Sequence, residues 1–249
     1  MSAGAVWRLT ARALGALWWW ALPIRRAEAS AALLAALPAA GAPGPLLRRA
    51  VGSAALGYLE LLLGRPMEID GLDAVSARLR PGQGLWCLAG HHGPWDLLLV
   101  RASAAVPISI FVRAPSGRLS RAALDHLRRR GGDLELLSPT AGIAAATEAY
   151  ARGRVVVFVQ DQRHNKGVAV PFFGRPARTS TGLARALAAH PGPVLWAEAW
   201  RAGDGRPVGA LRFCPPPDAA EATAWSQAQH EAAARARPGD WWWLHKRWA

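Results

Sequence analysis

The sequence predicts an α/β fold in which a mainly parallel sheet is flanked by helices. Between residues 72 and 201, apolar and β-branched segments alternate with segments of helical spacing. This alternation is typical of parallel strands whose two faces are covered by helices. Hydrophobic residues make up 51% of the 249 positions, which is enough for one large core. A chain of this length therefore favours one α/β domain rather than two.

The first 63 residues are predicted to form a helical arm at a membrane interface, ahead of a folded domain over residues 64–249. An apolar run at 13–24 has arginines at both ends. A helix of that length spans about 18 Å, which is short of the ~30 Å hydrocarbon core. Arginines before the A-x-A site at 27–29 disfavour cleavage as a signal peptide. We expect an uncleaved interfacial helix, with positive flanks that favour the cytoplasmic leaflet.

Further elements are predicted from periodicity and from Gly and Pro punctuation. Helices are expected at 46–63, 71–80, 95–105, 119–130, 141–151 and 179–189. Strands are expected at 85–90, 106–112, 134–137, 155–159, 194–200 and 208–213. A turn is expected at 174–176, followed by a helix capped by Thr179 or Ser180.

The net charge of +13 requires a partner of opposite sign, and nucleic acid, anionic lipid and an acidic carrier protein are all candidates. Thirteen tryptophans include groups at 18–20 and 241–243, beside basic residues. That pairing is typical of a membrane interface, although ordinary packing is the alternative. Zinc-ligand spacing, a helix-turn-helix pattern and RNA-binding aromatics are absent, which disfavours nucleic acid. The two cysteines do not form a disulfide framework.

One stretch carries the strongest chemical signal. The apolar strand at 85–90 leads into His91 and His92, then into a Gly93-Pro94 break and Trp95, with Asp96 five residues after the first histidine. An aspartate near an imidazole can fix its tautomer and favour its cation, as general-base catalysis requires. The alternative is a strand-to-helix turn whose Gly, Pro and Asp serve only as capping residues.

Two further polar residues, Arg113 and Asp161, also follow predicted core strands. Because the carboxyl ends of parallel strands share one edge of a sheet, we expect them to converge with His91. Arg175 and Arg178 precede a predicted helix N-terminus and would bind a phosphate or carboxylate there. The alternative is a solvated rim of arginines.

These segments resemble a known family. GHHGPWDL resembles the GHFGNWEL signature of the bacterial lipid A late acyltransferases, a branch of the acyltransferase superfamily with a His-x4-Asp/Glu motif. FVQDQ, GVAVPFFGRPARTSTGLARAL and ARPGDWWWLHKRW resemble the family's DQ, GVFVPFFGRPAATTTGLARLA and PEQWLWLHRRW. The resemblance covers about residues 55–248. In this register His91 is the family histidine, Asp96 replaces its usual Glu, and Arg163 stands where an acidic residue is common.

The resemblance implies an acyltransferase-type α/β sandwich, and no cofactor is expected. The two histidines and Asp96 could bind zinc, but a metal site is disfavoured because adjacent side chains of a strand point apart. The implied donor is an acyl thioester on acyl carrier protein or coenzyme A, and the acceptor is a hydroxyl of a membrane glycolipid or phospholipid. His91 is expected to act as general base, oriented by Asp96 or Asp161. The expected substrate-binding residues are Gly93, Trp95, Arg113, Arg175 and Arg178. Backbone amides near Gly93, or a nearby arginine, would stabilise the oxyanion.

The acceptor that the resemblance implies is a lipid A-type glycolipid at the cytoplasmic face of the bacterial inner membrane. A lysophospholipid or another lipid acceptor is the alternative within the same chemistry. Outside that chemistry, the alternatives are a basic nucleic-acid binder and a membrane-surface protein without activity. Intact His91, Asp96, Arg113 and Asp161 disfavour the inactive protein.

Overall fold

A seven-stranded sheet forms the centre of the protein in the computed structural model, which describes residues 3–112, 130–215 and 217–248. The strands are β1 (Glu68–Asp70), β2 (Leu85–Ala89), β3 (Ile108–Phe111), β4 (Leu134–Leu137), β5 (Val155–Val159), β6 (Val168–Phe172), β7 (Arg175–Thr179), β8 (Val194–Arg201) and β9 (Pro207–Cys214). The order across the sheet is β1-β9-β8-β2-β5-β3-β4. Only β8 and β9 pair antiparallel in it, while β6 and β7 form a separate hairpin. The predicted mainly parallel sheet is confirmed.

The central strand β2 is buried along its whole length, as its unbroken apolar sequence predicts. Trp86 and Leu88 pack into the core on one face of the sheet, while Leu85 and Cys87 pack into the core on the other. This alternation follows from the two-residue period of a strand. The carboxyl end of β2 is therefore held from both sides.

Helices cover both faces of the sheet, as predicted. They are α1 (Ala3–Trp20), α2 (Arg26–Ala36), α3 (Pro43–Leu62), α4 (Leu72–Ser76), α5 (Trp95–Ala102), α6 (Gly142–Ala151), α7 (Gly182–Ala189) and α8 (Ala222–Ala236). Helices α4 and α5 contribute to the core on one face, and α6, α7 and α8 contribute to the core on the other. The predicted helix at 119–130 lies almost entirely outside the described residues and stays a prediction.

The N-terminal helices pack against the body of the protein. Trp18, Leu33 and Leu47 share a buried cluster with Phe172 of the hairpin and with Trp241 near the C-terminus. A buried ion pair of 2.9 Å joins Glu60 of α3 to Arg201 of β8. The domain boundary at residue 63 stays a prediction. In the described part of the chain, no helix combines the length and apolar character that crossing a membrane requires.

Two local predictions need correction. Residues 175–179 form strand β7 rather than a turn and a helix start, and α7 begins only at Gly182. Ala177 and Thr179 are buried while Pro176 and Arg178 are exposed, which is the two-residue period of a strand. At the start of α7, the Ser180 hydroxyl accepts a hydrogen bond from the Gly182 amide. Strand β1 was not predicted, because three residues at a sheet edge carry too little pattern.

The sequence allows the tryptophans near the two ends of the chain to be either membrane-interface residues or ordinary packing residues, and the structure supports packing for some of them. Trp18, Trp241 and Trp243 are buried, so the interface interpretation is wrong for these three and the packing alternative holds. Their indoles fill the cluster between the N-terminal helices and the hairpin, where aromatic area is most stabilising. Trp20, by contrast, is 73% exposed.

Candidate active site

His91 and Asp161 meet because β2 and β5 are parallel neighbours. In their register Ala89 is paired with Val159, so the second residue after each strand arrives at the same point of the sheet edge. Parallel strands collect polar residues at their carboxyl ends in this way. The predicted convergence of these two residues is confirmed.

Three donors bond the carboxylate of Asp161. His91 Nδ1 lies 2.8 Å from Oδ1, the His91 backbone amide donates to Oδ2 at 2.8 Å, and Trp241 Nε1 donates to Oδ2 at 3.0 Å. Burial alone would raise the pKa of Asp161, but His91 and its hydrogen bond hold that pKa well below the usual value. Asp161 is therefore an anion that can only accept hydrogen bonds.

An ionised Asp161 fixes the tautomer of His91. Since its carboxylate accepts from Nδ1, that nitrogen carries the proton and Nε2 keeps its lone pair. The Gln162 amide nitrogen lies 3.0 Å from Nε2 and donates to it. The ring lines the main cavity and its side chain is 21% exposed, so Nε2 is accessible to a hydroxyl that displaces Gln162.

Asp96, the second candidate partner of His91, is bonded elsewhere. It lies in the first turn of α5, is buried, and accepts a 2.6 Å hydrogen bond from Tyr58 Oη of α3. It lines the same cavity as His91. Sequence analysis left both aspartates open as the orienting group, and the hydrogen bond to the imidazole selects Asp161.

His92 faces away from the cavity. Its ring stacks on His230 of α8 with centroids 5.8 Å apart and planes 9° apart. Burial lowers the pKa of His92 to about 4, so it is neutral at physiological pH. Adjacent residues at the end of a strand point to opposite sides, which leaves His91 as the histidine in the cavity. Within the described ranges, no three His, Cys, Asp or Glu side chains are placed to share a metal ion.

Gly93 and Trp95 are both predicted to bind substrate, and the structure places them differently with respect to the cavity. Gly93 has a φ of +52°, and its amide donates to the Asp240 carbonyl at 2.7 Å. That amide is engaged, so the predicted role of Gly93 in stabilising an oxyanion is not supported. A Cβ at this position would lie 2.5 Å from the Ala199 carbonyl oxygen, which explains the glycine. Trp95 lines the cavity with its ring 5.0 Å from that of His91, as its predicted role requires.

The predicted phosphate-binding arginines are not brought together with His91. Arg175 stacks on Trp248 at 4.9 Å, and Arg178 bonds the carbonyl oxygens of Asn165 and Gly167. Both are exposed residues of β7 and neither lines the cavity. Arg113 lies outside the described residues.

Sequence reasoning missed the C-terminal segment 237–248 as part of the site. Besides the indole bond to Asp161, the Trp242 amide donates to the His91 carbonyl at 2.9 Å, and His92 forms a β-bridge with Trp241. Arg247 is buried and bonds Thr179 and Gln227. The sequence signal for this placement is the resemblance of ARPGDWWWLHKRW to the family ending. Hydrogen bonds between residues so far apart in the chain produce no local pattern in the sequence.

The cavity beside His91 measures about 920 Å³, a size typical of small-molecule sites. One part of its lining is apolar and comes from α5, β3, β5 and α6: Leu98, Leu99, Ile110, Phe111, Val112, Ile143, Phe158 and Val159. Another part is basic and comes from the loop after β5 and from α7: Arg163, His164, Lys166 and Arg185. The imidazole therefore opens onto a space that can hold an apolar chain and an anionic group.

Comparison with known proteins agrees with this geometry. Residues 62–249 match the family model described as bacterial lipid A biosynthesis acyltransferase. The comparison with curated proteins gives no match. The match to the family model includes β2, β5, the turn between β2 and α5 and the C-terminal segment, and it covers well over half of the chain. The protein belongs to the bacterial lipid A biosynthesis acyltransferase family.

Proposed function

We propose that the protein transfers a fatty acyl chain from an acyl thioester to a hydroxyl of a lipid acceptor, with His91 as general base. The observation that carries this proposal is the hydrogen bond between His91 Nδ1 and Asp161 Oδ1, on a ring that lines the cavity. It leaves the basic nitrogen on the side where a substrate would bind. Family membership supports acyl transfer as the reaction.

In the proposed reaction, the acceptor hydroxyl replaces the Gln162 amide at His91 Nε2 and gives up its proton there. The oxygen attacks the thioester carbonyl, and Asp161 stabilises the imidazolium that forms. The tetrahedral intermediate then collapses, the carbon–sulfur bond breaks, and the imidazolium returns its proton to the leaving thiolate. Once displaced, the Gln162 carboxamide is a donor close to the reacting atoms and suits the developing oxyanion.

Direct transfer requires no acyl-enzyme, and the cysteines suit that route. Cys87 lies within β2 and is buried, and burial raises the pKa of its thiol to about 12. A thiol with such a pKa supplies almost no thiolate near neutral pH. Its place inside the strand also separates it from the cavity lining.

The two parts of the cavity lining suit a lipid reaction. The apolar part would bury the acyl chain, since burying each methylene is worth about 0.8 kcal/mol. The donor would be acyl carrier protein or coenzyme A carrying the thioester. The acceptor would be a lipid A-type glycolipid. A lysophospholipid is the alternative acceptor, because its hydroxyl could be acylated by the same reaction.

We also propose that α1 and the turn after it dock the protein on the cytoplasmic face of the bacterial inner membrane. Leu9, Leu17, Trp20 and Ile24 are exposed apolar side chains of this region. Four arginines accompany them in the sequence at positions 8, 12, 25 and 26. Exposed apolar side chains beside cations fit an anionic lipid surface. The net charge of +13 supports the same orientation toward anionic lipid.

Reconstituted transfer tests the proposed function. The full chain, in mixed micelles, is given acyl carrier protein or coenzyme A loaded with a defined acyl chain, together with a lipid A precursor or a lysophospholipid. Mass spectrometry of the lipids then reports the acceptor and the added chain together. We expect an ester-linked acyl group on the lipid A precursor. Absence of acylated product from every donor and acceptor pair would refute the proposal.

A further inference from the structure

The wall of the cavity formed by the loop after β5 and by α7 carries three cations, Arg163, Lys166 and Arg185. All three are exposed. Across the described residues, none of them makes an ion pair or a side-chain hydrogen bond. Four other arginines, by contrast, bond a carboxylate: Arg152, Arg154, Arg201 and Arg206. The cavity wall therefore holds positive charge that the protein leaves unbalanced.

The acidic side chains that line the same cavity are already engaged. Asp96 accepts from Tyr58, and Glu198 bonds Arg212 and Arg237. Like charges gathered in one cavity repel one another and gain stability only when an anion binds. An anionic group of a substrate is the natural counter-charge.

Helix α7 adds donors to this wall. Gly182, its first residue, lines the cavity, and its N-cap Thr181 makes no side-chain capping bond. The Gly182 amide itself is engaged, because it donates to the Ser180 hydroxyl, so the donors in question are the amides that follow it. The first amides of a helix carry partial positive charge and bind phosphate oxygens well. The guanidinium groups and the ammonium group add charge-assisted hydrogen bonds, which suit the several oxygens of a phosphate.

We propose that Arg163, Lys166 and Arg185 form a subsite for a phosphate group of a substrate, while the apolar part of the lining holds an acyl chain. This inference deepens the proposed function and rests on it for the identity of the substrate. It also replaces Arg175 and Arg178, which do not line the cavity, as the phosphate-binding residues. The phosphate would belong either to the carrier of the donor or to the acceptor lipid.

The test compares two double variants of equal charge change. Arg163→Gln with Lys166→Gln removes two cations from the cavity wall. Arg78→Gln with Arg80→Gln removes two exposed cations that precede β2, at the opposite end of that strand and outside the cavity lining. KM is measured separately for the donor and for the acceptor, the latter with and without its phosphate groups.

We expect the cavity-wall variant to raise one KM by about tenfold or more, with kcat much less affected, and the control to match wild type. A rise confined to the donor assigns the phosphate to the carrier. A rise confined to the phosphorylated acceptor, absent for its dephosphorylated form, assigns the phosphate to the lipid. Both KM values within twofold of wild type would overturn the subsite.

Binding without turnover separates the subsite from the proposed function. Dodecyl phosphate and dodecyl maltoside are titrated at one ionic strength into wild type and both variants. We expect wild type and the control to prefer the phosphate, and the cavity-wall variant to lose at least about tenfold in affinity for it. If this holds while no acyl transfer is detected, the subsite stands and the proposed function falls. Equal affinity of all three proteins for dodecyl phosphate would overturn the subsite.

Discussion

At the scale of single residues, the site depends on what the carboxylate of Asp161 accepts. It takes hydrogen bonds from the His91 amide, the His91 ring and the Trp241 indole, and its side chain has no exposed surface. A buried anion with three donors is fixed in both charge and position. Asp161 thereby determines which ring nitrogen of His91 can take a proton.

Asp161→Asn is expected to lower kcat by about 10²–10⁴-fold while the protein stays folded. The amide group would donate to Nδ1 rather than accept from it, so Nε2 would carry the proton and could not act as base. Steady-state transfer measured alongside thermal melting checks this. A folded Asp161→Asn protein within tenfold of wild-type kcat would show that another group orients His91.

Trp241→Phe is expected to shift the acidic limb of the pH–rate profile to higher pH. Phenylalanine keeps the contacts with Phe172 and Trp243 but removes the donor to Asp161, so the carboxylate attracts the imidazolium more strongly. Rates of transfer between pH 5 and 9 measure the shift.

Trp243→Phe is the matched control for this shift. Trp243 is equally buried two residues away, but its indole donates to the Pro238 carbonyl. We expect it to lose stability without moving the profile. Equal shifts in both variants, or no shift in Trp241→Phe, would mean that the indole only packs.

The sequence identifies His91 and Asp161 because each follows a buried strand, where pattern and chemistry coincide. It could not identify Trp241 or Tyr58, since their bonds to Asp161 and Asp96 join residues 80 and 38 positions apart. Long-range placement of that kind depends on packing rather than on local periodicity. Gln162 lay beside the predicted aspartate, but nothing in the sequence shows that its amide faces the imidazole.

At the scale of elements, the turn between β2 and α5 that carries His91 is held by segments from both ends of the chain. The Gly93 amide bonds Asp240, whose carboxylate is paired at 3.2 Å with Arg49 of α3. Helix α3 also approaches the turn directly, since a Cβ on Gly57 would lie 2.9 Å from Pro94. The helices predicted as an arm and the C-terminal segment therefore support the site.

The strands predicted from the sequence are those with unbroken apolar runs, such as β2 and β5. Strand β7 was misassigned because its polar residues and Pro176 resemble a turn, and only its pairing with β6 reveals the alternation. The helix after β7 begins at Gly182 rather than at the predicted Thr179, because Thr179 belongs to that strand. Hairpins outside the central sheet carry the weakest pattern, since most of their side chains face solvent.

Substitution at the end of α1 and in the turn after it tests membrane docking. Trp20→Ser with Ile24→Ser is expected to weaken binding to vesicles of phosphatidylglycerol and phosphatidylcholine by about tenfold or more, since each exposed apolar side chain would otherwise be buried in lipid. Co-sedimentation measures the binding. Val168→Ser, an exposed apolar position on the β6–β7 hairpin, is the control and should bind as wild type does. Unchanged binding of the double variant would place the lipid contact elsewhere.

At the scale of the whole molecule, three histidines are buried as neutral groups around the site. Burial lowers the pKa of His92 to about 4, that of His230 to about 3 and that of His245 to about 4, from 6.5. Below pH 6.5 these histidines bind protons in the unfolded chain but stay neutral in the folded protein. The three histidines therefore destabilise the folded protein as pH falls.

The free energy of unfolding is therefore expected to fall between pH 6.5 and pH 4, with a limiting slope of about 4 kcal/mol per pH unit for the three groups. The pH dependence from these groups fades as pH rises above 6.5, because the unfolded chain then loses the same protons. Urea denaturation at pH 7, 6 and 5 measures the slope. His230→Gln should make the slope shallower by about 1.4 kcal/mol per pH unit, which is the contribution of one of the three groups. An unfolding free energy that is flat from pH 7 to pH 5 would contradict neutral burial of this cluster.

The proposed function depends on His91 as the base, and the transfer rate of His91→Ala tests that role most directly. Single-turnover transfer by folded His91→Ala is compared with that of wild type and of His92→Ala, with donor and acceptor saturating. We expect His91→Ala to be about 10²–10⁴-fold slower, because general-base catalysis is lost, and folded His92→Ala to retain transfer. A His91→Ala protein that transfers at a rate close to wild type, while folded His92→Ala is inactive, would contradict the assignment of His91 as the base.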